Sequence, residues 1–386
     1  MSETVNLALI GCGGMMASHV EHGYRELWNR GIRTFRIVGC CDVDEDRARK
    51  MAGKVAEFQG EEPKVCVDYR HMLDAPWVDA VDISVVHSEH HRVAVPLLQA
   101  GKHVTIEKPL AITMRAGRLI IEAAEKAGVV LQVAENYRRA PEMRAIRWAI
   151  RKGYLGRLRL LFWIDAGERL WHWGWRDDVD AAGGGWSMDG GVHFADLFRF
   201  FIGEVEELYA VSRAYQPVRY RKPETLEEPV RATVEDTTLA VLKFENGAAG
   251  QWGSSQAAPG AGLSSRVIYG EHGSINLHEG LTTRNRKMSL EQLTQEYMAS
   301  LSTEERERLF PKGITHPVAT ELKEFVDAVL AGGSIETDGW EGYRSEAVTL
   351  ALYESSELGA PVRLKDIEDL KIETYQERFN RLHAVV

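Results

Sequence analysis

The sequence predicts an α/β fold in two domains, a parallel sheet interleaved with helices and then an α+β domain with an open, predominantly antiparallel sheet. In the first part of the chain, short apolar runs alternate with segments of helical periodicity, which is typical of strand–helix–strand units. In the later part, segments alternate apolar and polar residues, which is typical of antiparallel strands with one covered face. With 386 residues the chain is long enough for two cores, and we place the domains at 1–135 and 136–386.

The first strand runs directly into a glycine-rich turn. Val5–Ile10 is an apolar run, and Gly11-Cys12-Gly13-Gly14 follows it and opens a helical pattern. Gly11 can take the tight turn, and Gly13 leaves no Cβ between the backbone and a pyrophosphate at the helix N-terminus. Strand, glycine turn and helix together predict a Rossmann domain that binds a dinucleotide. The third glycine of that fingerprint is absent, because Met16 or Ala17 occupies its place.

The second strand ends on an acidic residue. Phe35–Cys41 leads to Asp42, whose carboxylate can accept a hydrogen bond from a ribose 2′-hydroxyl and repel a 2′-phosphate. We therefore expect NAD as the coenzyme, with NADP disfavoured. The alternative is that Asp42 is an ordinary turn residue at the end of a strand.

Two further strands predict a second group of residues at the same edge of the sheet. Residues 80–86 lead to histidines at 87, 90 and 91, and residues 103–106 lead to Glu107-Lys108-Pro109. Ligands of a parallel sheet bind beyond the carboxyl ends of its strands, so Lys108 could donate to a substrate oxygen and stabilise negative charge on it. The alternative is a surface lysine paired with Glu107. The histidines lack a further ligand at suitable spacing, so we predict no metal site.

Beyond a last parallel strand at 129–134, the pattern predicts a helix, a largely antiparallel sheet and two closing helices. Glu245-Asn246-Gly247 is typical of a hairpin turn between two of the strands. Residues 288–310 break the strand rhythm with a charged, helix-favouring insertion. The other predicted segments are a helix at 142–151, strands at 157–166, 207–213, 237–245 and 248–254, and helices at 317–331 and 341–358.

Asp189 and His193 are the candidate proton-transfer pair. They lie four residues apart where a helical pattern begins after a glycine run, so both side chains are expected on one face of the helix. A carboxylate beside an imidazole suits acid–base chemistry, because histidine can take up a proton near physiological pH. The alternative for Asp189 is a structural role, since capping and the helix dipole favour aspartate at a helix N-terminus.

Five of the ten tryptophans fall just before or within the segment that carries Asp189. Flat apolar faces beside polar side chains suit a sugar or cyclitol ring, whose C–H face stacks while its hydroxyl groups seek partners. The alternative is that these aromatic side chains fill the core. The five are Trp163, Trp171, Trp173, Trp175 and Trp186, interleaved with Arg169, His172, Arg176, Asp177 and Asp178.

The order of these motifs resembles that of the Gfo/Idh/MocA family, the glucose-fructose oxidoreductase and inositol dehydrogenase group of NAD(P)-dependent sugar oxidoreductases. The resemblance extends over nearly the whole chain, and its most specific part is Glu107-Lys108-Pro109 followed by Asp189-Gly190-Gly191-Val192-His193. In one departure, Val85-Val86-His87 stands where the family often has Thr-Pro-Asn, although His90 matches the loop histidine that follows. The other matching segments are 11–17, Asp42, 100–104, 136–139, 184–196, 234–237 and 353–355.

The resemblance implies a dehydrogenase that transfers a hydride between a secondary alcohol of a sugar, glycoside or cyclitol and nicotinamide. It implies that Lys108, Asp189 and His193 are the catalytic residues and that Glu107 lies near the nicotinamide ribose. Coenzyme contacts are assigned to Gly11, Gly13, Gly14, Met15, Met16, Asp42, Val85, His87, His90, Glu107, Lys108 and Asn136. Substrate contacts are assigned to Lys108, Tyr137, Arg138, Trp173, Trp175, Arg176, Asp189 and His193.

Two other functions stay open at this point. A coenzyme that is held through the cycle would give an isomerase, an epimerase or a glycosidase-like enzyme instead of a dehydrogenase. A non-catalytic regulator of a sugar pathway that binds the dinucleotide as a signal would have no need of Lys108, Asp189 and His193, which are all present.

Composition and charge limit the classes of partner and the cellular compartment that we expect for this protein. A net charge of -10 without a basic run argues against nucleic acid, and no apolar stretch reaches membrane-spanning length. The chain begins almost at once with a strand, so we expect no signal peptide. Its four cysteines have no metal-like spacing and no disulfide pattern, which fits a reducing cytoplasm. The resemblance implies a homodimer or homotetramer that packs through the open face of the second sheet.

Overall fold

The computed structural model describes residues 4–385. Its strands are β1 Val5–Ile10, β2 Phe35–Cys41, β3 Lys64–Cys66, β4 Ala80–Ile83, β5 His103–Glu107, β6 Leu131–Ala134, β7 Leu158–Ala166, β8 Val205–Arg213, β9 Val218–Lys222, β10 Glu227–Arg231, β11 Thr237–Phe244, β12 Ala249–Ser255, β13 Leu263–Gly270, β14 Gly273–Asn276, β15 Gly280–Thr283, β16 Lys287–Ser289 and β17 Val362–Arg363.

The α-helices are α1 Gly14–Ser18, α2 Arg25–Asn29, α3 Glu45–Gln59, α4 His90–Gln99, α5 Met114–Ala127, α6 Pro141–Arg151, α7 Val179–Ala182, α8 Trp186–Asp189, α9 Gly191–Phe201, α10 Leu290–Ser300, α11 Thr303–Leu309, α12 Pro317–Ala331, α13 Gly339–Leu358, α14 Leu364–Glu368 and α15 Glu377–Leu382. A π-helical segment, His19–Tyr24, joins α1 to α2. Short 3-10 helices are Tyr69–Met72, His87–Glu89, Tyr137–Arg139, Gly174–Asp177 and Pro311–Gly313. No helix in the described part of the chain is long and apolar enough to cross a bilayer.

The chain divides into two compact units. The first comprises the residues up to Ala111, Ala116–Ala140 and Ser302–Tyr343. The second comprises Ile112–Arg115, Pro141–Leu301 and the residues from Arg344 onward. The unit that contains the N-terminal residues thus also includes residues 302–343, which lie in the second half of the sequence.

The first unit contains a six-stranded parallel sheet in the order β3-β2-β1-β4-β5-β6. The strand order reverses between β1 and β4, and the crevice at the carboxyl ends of two such strands is where a doubly wound sheet binds a dinucleotide. The prediction of a Rossmann domain is therefore confirmed. Strand β3 was not predicted, because its three residues are too few to form a recognisable strand pattern. The strand predicted at 80–86 ends at Ile83, where Ser84 N donates to the carbonyl of Ile10.

The second unit contains a nine-stranded mixed sheet in the order β16-β15-β14-β13-β7-β12-β11-β8-β17. Only β7 and β12 run parallel, and the other neighbouring pairs are antiparallel. Helix α9 packs on one face, where Trp163 of β7 contacts Phe194 and Phe198 at ring distances of 5.0 and 5.2 Å. The prediction of an open, predominantly antiparallel second sheet is confirmed.

The opposite face of this sheet is lined by exposed apolar side chains. Along β11, Leu239 and Val241 alternate with buried Ala240 and Leu242, as expected for a strand with one covered face. Their register partners on β8 are Val211 and Tyr209, so the four exposed side chains form one continuous patch. Leu160 of β7 and Tyr269 of β13 are also paired in register and exposed on the sheet.

The helix-favouring insertion predicted at 288–310 forms β16, α10 and α11. Helix α10 begins with a capping box between Ser289 and Gln292, and α11 begins with one between Ser302 and Glu305. Each box satisfies backbone amides at a helix N-terminus, which explains why these charged segments are helical. The three strands before the insertion, β13, β14 and β15, were not predicted because their polar and apolar residues do not alternate regularly.

Candidate active site

The glycine turn of the first unit forms an open cradle at the N-terminus of a helix. Gly11 has φ of +86°, and a Cβ there would lie 2.4 Å from the carbonyl oxygen of Ser84. A Cβ on Gly13 or Gly14 would meet no atom within 4 Å, so the space above these two residues is empty. Gly13 caps α1 without a side-chain hydrogen bond, which leaves first-turn amides for a ligand. The cradle fits a pyrophosphate, because backbone amides at a helix N-terminus bind anions.

Asp42 lies at the rim of this cradle. Its Oδ2 accepts the backbone N–H of Cys12 at 2.8 Å, and its Oδ1 accepts that of Asp44 at 2.9 Å. Each carboxylate oxygen has a second lone pair, so Asp42 can still accept a hydroxyl group. The negative charge beside the turn fits the ribose of NAD and opposes the 2′-phosphate of NADP.

The two methionines assigned to the coenzyme differ in exposure. Met16 is fully buried among the apolar side chains of the first unit, so only its backbone is available to a ligand. Met15 is half-buried at the start of α1. Packing by Met16 takes the place of the missing third glycine.

The histidines after β4 have separate environments. His90 is fully buried, and its Nδ1–H donates to the carbonyl of Pro109 at 2.9 Å. Burial lowers the pKa of His90 to about 3, so its ring stays neutral. His87 is also buried and contacts the ring of His90 edge-on at 5.7 Å. His90 therefore anchors the turn after Lys108. Val85, from the same loop, lies against the glycine turn, 3.0 Å from where a Cβ on Gly11 would be.

His19, which was not predicted as a functional residue, lies at the centre of a buried polar cluster in the first unit. Its Nδ1 lies 2.9 Å from Oδ2 of Asp82, and its Nε2 lies 2.9 Å from Oε1 of Glu107. Tyr24 also donates to Asp82, so the two ends of the π-helical segment meet the same carboxylate. Burial opposes a charge on His19, but Asp82 and Glu107 raise its pKa well above the ordinary value. A buried imidazolium therefore joins β4 to β5.

Lys108 follows directly from this cluster. Its backbone N–H donates to Oε2 of Glu107 at 3.1 Å, and both residues are buried at the carboxyl end of β5. His19 thus fixes the carboxylate that precedes the predicted catalytic lysine. Only the periodicity of the first helix could have pointed to His19, since no motif marks it.

The predicted contacts near residue 136 lie in the first unit. Asn136 precedes the short helix Tyr137–Arg139, and the Tyr137 side chain is exposed. Arg138 is buried, and its Nη2 donates to Glu341 at 3.2 Å. Arg138 therefore has an acidic partner within its own unit, which explains its burial.

In the second unit, a carboxylate from the loop between β10 and β11 caps the helix that carries Asp189. Glu235 accepts the backbone N–H groups of Gly185 at 2.6 Å and Ser187 at 3.1 Å, and it accepts the hydroxyl of Tyr353 at 2.9 Å. This cap begins α8 at Trp186, and Gly190 separates α8 from α9. The helix predicted after the glycine run thus begins at Trp186, and the break at Gly190 places Asp189 at the end of α8 and His193 in the first turn of α9. Burial raises the pKa of Glu235, against the effect of these donors.

Asp189 is part of an ion pair beside two tryptophans. Arg176 Nε donates to its Oδ1 at 2.9 Å. The Arg176 guanidinium lies over the rings of Trp175 at 4.4 Å and Trp173 at 5.1 Å. Asp189 and His193 are both buried, with 5% and 7% of their surfaces exposed. The structure thus brings together four of the predicted substrate residues, and His193 follows them in the first turn of α9.

A second buried carboxylate holds the tryptophan-rich loop. Asp177 accepts hydrogen bonds from Arg169 Nη2 at 2.8 Å, His172 Nδ1 at 2.9 Å and the Trp173 backbone at 2.6 Å. Arg169 also lies over the ring of Trp171 at 5.0 Å. Trp171 is 45% exposed, so the loop presents an aromatic face to solvent. Trp163 is instead fully buried and belongs to the core, as the alternative held.

Within residues 4–385, no group of three or more histidine, cysteine, aspartate or glutamate side chains could hold a metal ion.

Two family models match the chain. The model described as "Oxidoreductase family, NAD-binding Rossmann fold" matches residues 5–135, and "Oxidoreductase family, C-terminal alpha/beta domain" matches residues 150–364. Both belong to the Gfo/Idh/MocA group that the motifs resemble.

Named relatives are similar over nearly the full length. Levoglucosan dehydrogenase of Pseudarthrobacter phenanthrenivorans is 26% identical over 92% of this chain and 96% of the relative. Inositol 2-dehydrogenase 2 of Saccharopolyspora erythraea is 29% identical over 94% of this chain and 96% of the relative. A solved levoglucosan dehydrogenase in complex with NADH has the same fold, with a TM-score of 0.72, 23% identity, and coverage of 94% of this chain and 99% of the other.

Proposed function

Because the chain belongs to the Gfo/Idh/MocA oxidoreductase family and contains its NAD-binding Rossmann domain, we propose that it oxidises a secondary alcohol of a sugar, glycoside or cyclitol, and catalyses the reverse reduction. The observation that carries the proposal is the Arg176–Asp189 ion pair. It holds a buried carboxylate, four residues before His193, against an arginine that lies over two tryptophan rings. The named relatives act on levoglucosan and inositol, which supports a polyhydroxylated ring as the substrate.

The coenzyme-binding residues in the proposal are those whose geometry fits a dinucleotide. Gly13 and Gly14 leave room for the pyrophosphate, and Asp42 offers its carboxylate to the adenosine ribose. Glu107, held by His19, is assigned to the nicotinamide ribose. When bound, NAD supplies the hydride acceptor, and the protein supplies position and charge.

His193 acts in the proposal as the general base that takes the hydroxyl proton while the C–H bond is broken. Asp189, with Arg176 as its ion-pair partner, binds a neighbouring substrate hydroxyl or orients His193. Lys108 donates to the oxygen that loses its proton and stabilises the negative charge that develops there. Trp173 and Trp175 offer flat faces to the C–H side of the ring.

The first test is a substrate panel. We expect the purified chain to reduce NAD⁺ with at least one hexose, pentose, inositol or glycoside, and to use NADP⁺ far less well, because Asp42 repels the 2′-phosphate. NADH absorbance gives the rates. NAD retained through purification, together with product formed without net NADH, would favour an isomerase, epimerase or glycosidase-like reaction. Tight NAD binding without any conversion would favour a regulator.

We also propose that the protein is a homodimer or homotetramer that packs through the second sheet. Its exposed apolar patch on β8 and β11 is typical of a surface that another subunit covers. We expect Leu239→Glu, at a side chain that is 54% exposed, to lower the oligomeric mass measured by light scattering. Leu382→Glu is the matched control, since Leu382 is 53% exposed on α15. A wild-type monomer, or equal masses for wild type and Leu239→Glu, would contradict this interface.

A cytoplasmic location belongs to the same proposal. Its support is that Cys12, Cys40, Cys41 and Cys66, all within the described residues, are free thiols.

A further inference from the structure

A cavity of about 460 Å³, lined by both polar and apolar side chains, lies in the second unit beside the helices that carry Asp189 and His193. It opens between those helices and the ends of β7, β12 and β13. Its volume falls within the range of small-molecule sites. The lining residues that matter for its chemistry are Asp165, Trp186, Ser255, Gln256, Ser264 and Arg266.

An arginine and an aspartate form the polar wall of this cavity. Arg266 contacts Oδ2 of Asp165 through Nε at 3.1 Å and through Nη2 at 3.0 Å. Ser264 donates to the other oxygen of Asp165 at 2.7 Å. The Arg266 guanidinium also lies 4.9 Å from the ring centre of Phe194, which fixes its plane. The wall therefore offers donors and acceptors in a fixed arrangement.

Gln256 adds a donor of known orientation. Its Oε1 accepts from Nε of Arg169 at 2.7 Å, so the amide oxygen is committed to that bond. Its NH2 group has no hydrogen-bond partner among the described residues. A cavity side chain that keeps two free N–H donors can bind hydroxyl oxygens of a ligand.

The charge of the wall favours a neutral ligand. Arg266 and Asp165 neutralise each other, and the remaining polar groups named are serine hydroxyls and an amide. A phosphate or carboxylate would have to displace Asp165 from Arg266, and a cation would meet the guanidinium. Hydroxyl groups can donate to Asp165 and accept from Gln256 without disturbing the pair, and the ring of Trp186 supplies an apolar face.

Trp186 connects the cavity to the candidate active site. It lines the cavity, and its ring lies 5.8 Å from that of Trp173, which stacks with the arginine bound to Asp189. Trp186 and Asp189 are the first and last residues of the one-turn helix α8. A ligand that spans two rings could thus place one beside Asp189 and the other in the cavity.

We propose that this cavity is a subsite for a second sugar ring, so that the preferred substrate is a disaccharide or an extended glycoside instead of a free monosaccharide. The inference rests on the proposed function, because it assumes that the first ring is oxidised beside His193. The second ring stacks on Trp186, and its hydroxyl groups bind Asp165, Gln256 and Arg266.

The test blocks the cavity without removing a contact. A Cβ on Gly262, which lines the cavity, would have the Ala166 carbonyl oxygen 3.7 Å away as its nearest neighbour, so the position accepts a side chain. Gly262→Trp is compared with Gly53→Trp, a matched control on an exposed helical surface where a Cβ meets nothing within 4 Å. Arg266→Lys is the second variant, since it keeps the charge opposite Asp165 and loses the guanidinium fork. Each free sugar of the panel is assayed beside its disaccharides and its methyl glycoside, with NAD⁺.

We expect kcat/KM of the wild type for the best disaccharide or glycoside to exceed that for its parent sugar by roughly tenfold or more. Gly262→Trp should abolish this advantage and Arg266→Lys should reduce it, while both keep the rate with the parent sugar and Gly53→Trp changes neither. Equal kcat/KM for parent and extended sugars in the wild type would overturn the second-ring subsite and leave the proposed function intact. The second-ring subsite would also be overturned if Gly262→Trp lost activity with both the parent and the extended sugar, or kept full activity with both. Absence of turnover with every compound would overturn the proposed function, and this inference with it.

Discussion

Replacing His193 with alanine is expected to lower turnover by about a hundredfold or more, because the variant lacks the group that takes the hydroxyl proton. NAD⁺ affinity should stay close to that of the wild type, since the assigned coenzyme contacts lie in the first unit. Steady-state rates with the best substrate of the panel, together with NAD⁺ titration by tryptophan fluorescence, measure the two effects separately.

Two companion measurements separate proton transfer from structural damage. His193→Gln keeps a hydrogen-bonding side chain of similar size but has no basic nitrogen, so its rate should fall as far as that of the alanine variant. Added imidazole should raise the rate of His193→Ala and leave the wild type unchanged, because it can replace the missing base. Turnover within a few-fold of wild type in either variant would exclude His193 as the base. The next candidate for the base would then be His172, whose Nδ1 is bound to Asp177.

The sequence predicts the parts of this fold that depend on local pattern. Val5–Ile10 and Phe35–Cys41 were placed with their observed bounds, because buried parallel strands appear as short apolar runs beside turn residues. The predicted helix at 317–331 also has its observed bounds, since Pro317 favours a first helical turn. The family motifs indicate Lys108, Asp189 and His193 as the candidate catalytic residues.

The remaining features depend on contacts between residues distant in sequence. Helix α8 begins at Trp186 because Glu235, almost fifty residues later, accepts the amides of its first turn. Arg176 is bound by Asp189, thirteen residues further on, and the periodicity of the sequence does not predict this pair. His19 meets partners on two strands that are 63 and 88 residues away. Such pairings require knowledge of the tertiary fold, and all three concern residues that support the candidate site.

The expected cost of removing His19 follows from these pairings. In His19→Gln, Asp82 and Glu107 lose a buried positive partner, and breaking a buried ion pair in this way costs about 3–5 kcal/mol of unfolding free energy. Tyr24→Phe is the matched control, because it removes one hydrogen bond to Asp82 and leaves Glu107 paired, at a cost of about 1 kcal/mol. Urea titrations of the three proteins measure both values. Equal losses in the two variants would show that the buried charge of His19 contributes nothing beyond a hydrogen bond.

The same substitution separates support of the coenzyme site from simple destabilisation. Glu107 is released in His19→Gln but not in Tyr24→Phe, so only the first variant should bind NAD⁺ more weakly when both are folded. The pH dependence has a defined sign. Burial disfavours a charged His19, but Asp82 and Glu107 raise its folded-state pKa, so its stabilising contribution is complete below about pH 6.5 and is lost as pH rises through the raised pKa. Glu321 of α12 also faces this cluster, and burial raises its pKa, so it too releases its proton in the fold only at a higher pH than in the unfolded chain. The wild type should therefore lose stability as pH rises above neutrality, and a rise in stability over that range would exclude a buried imidazolium.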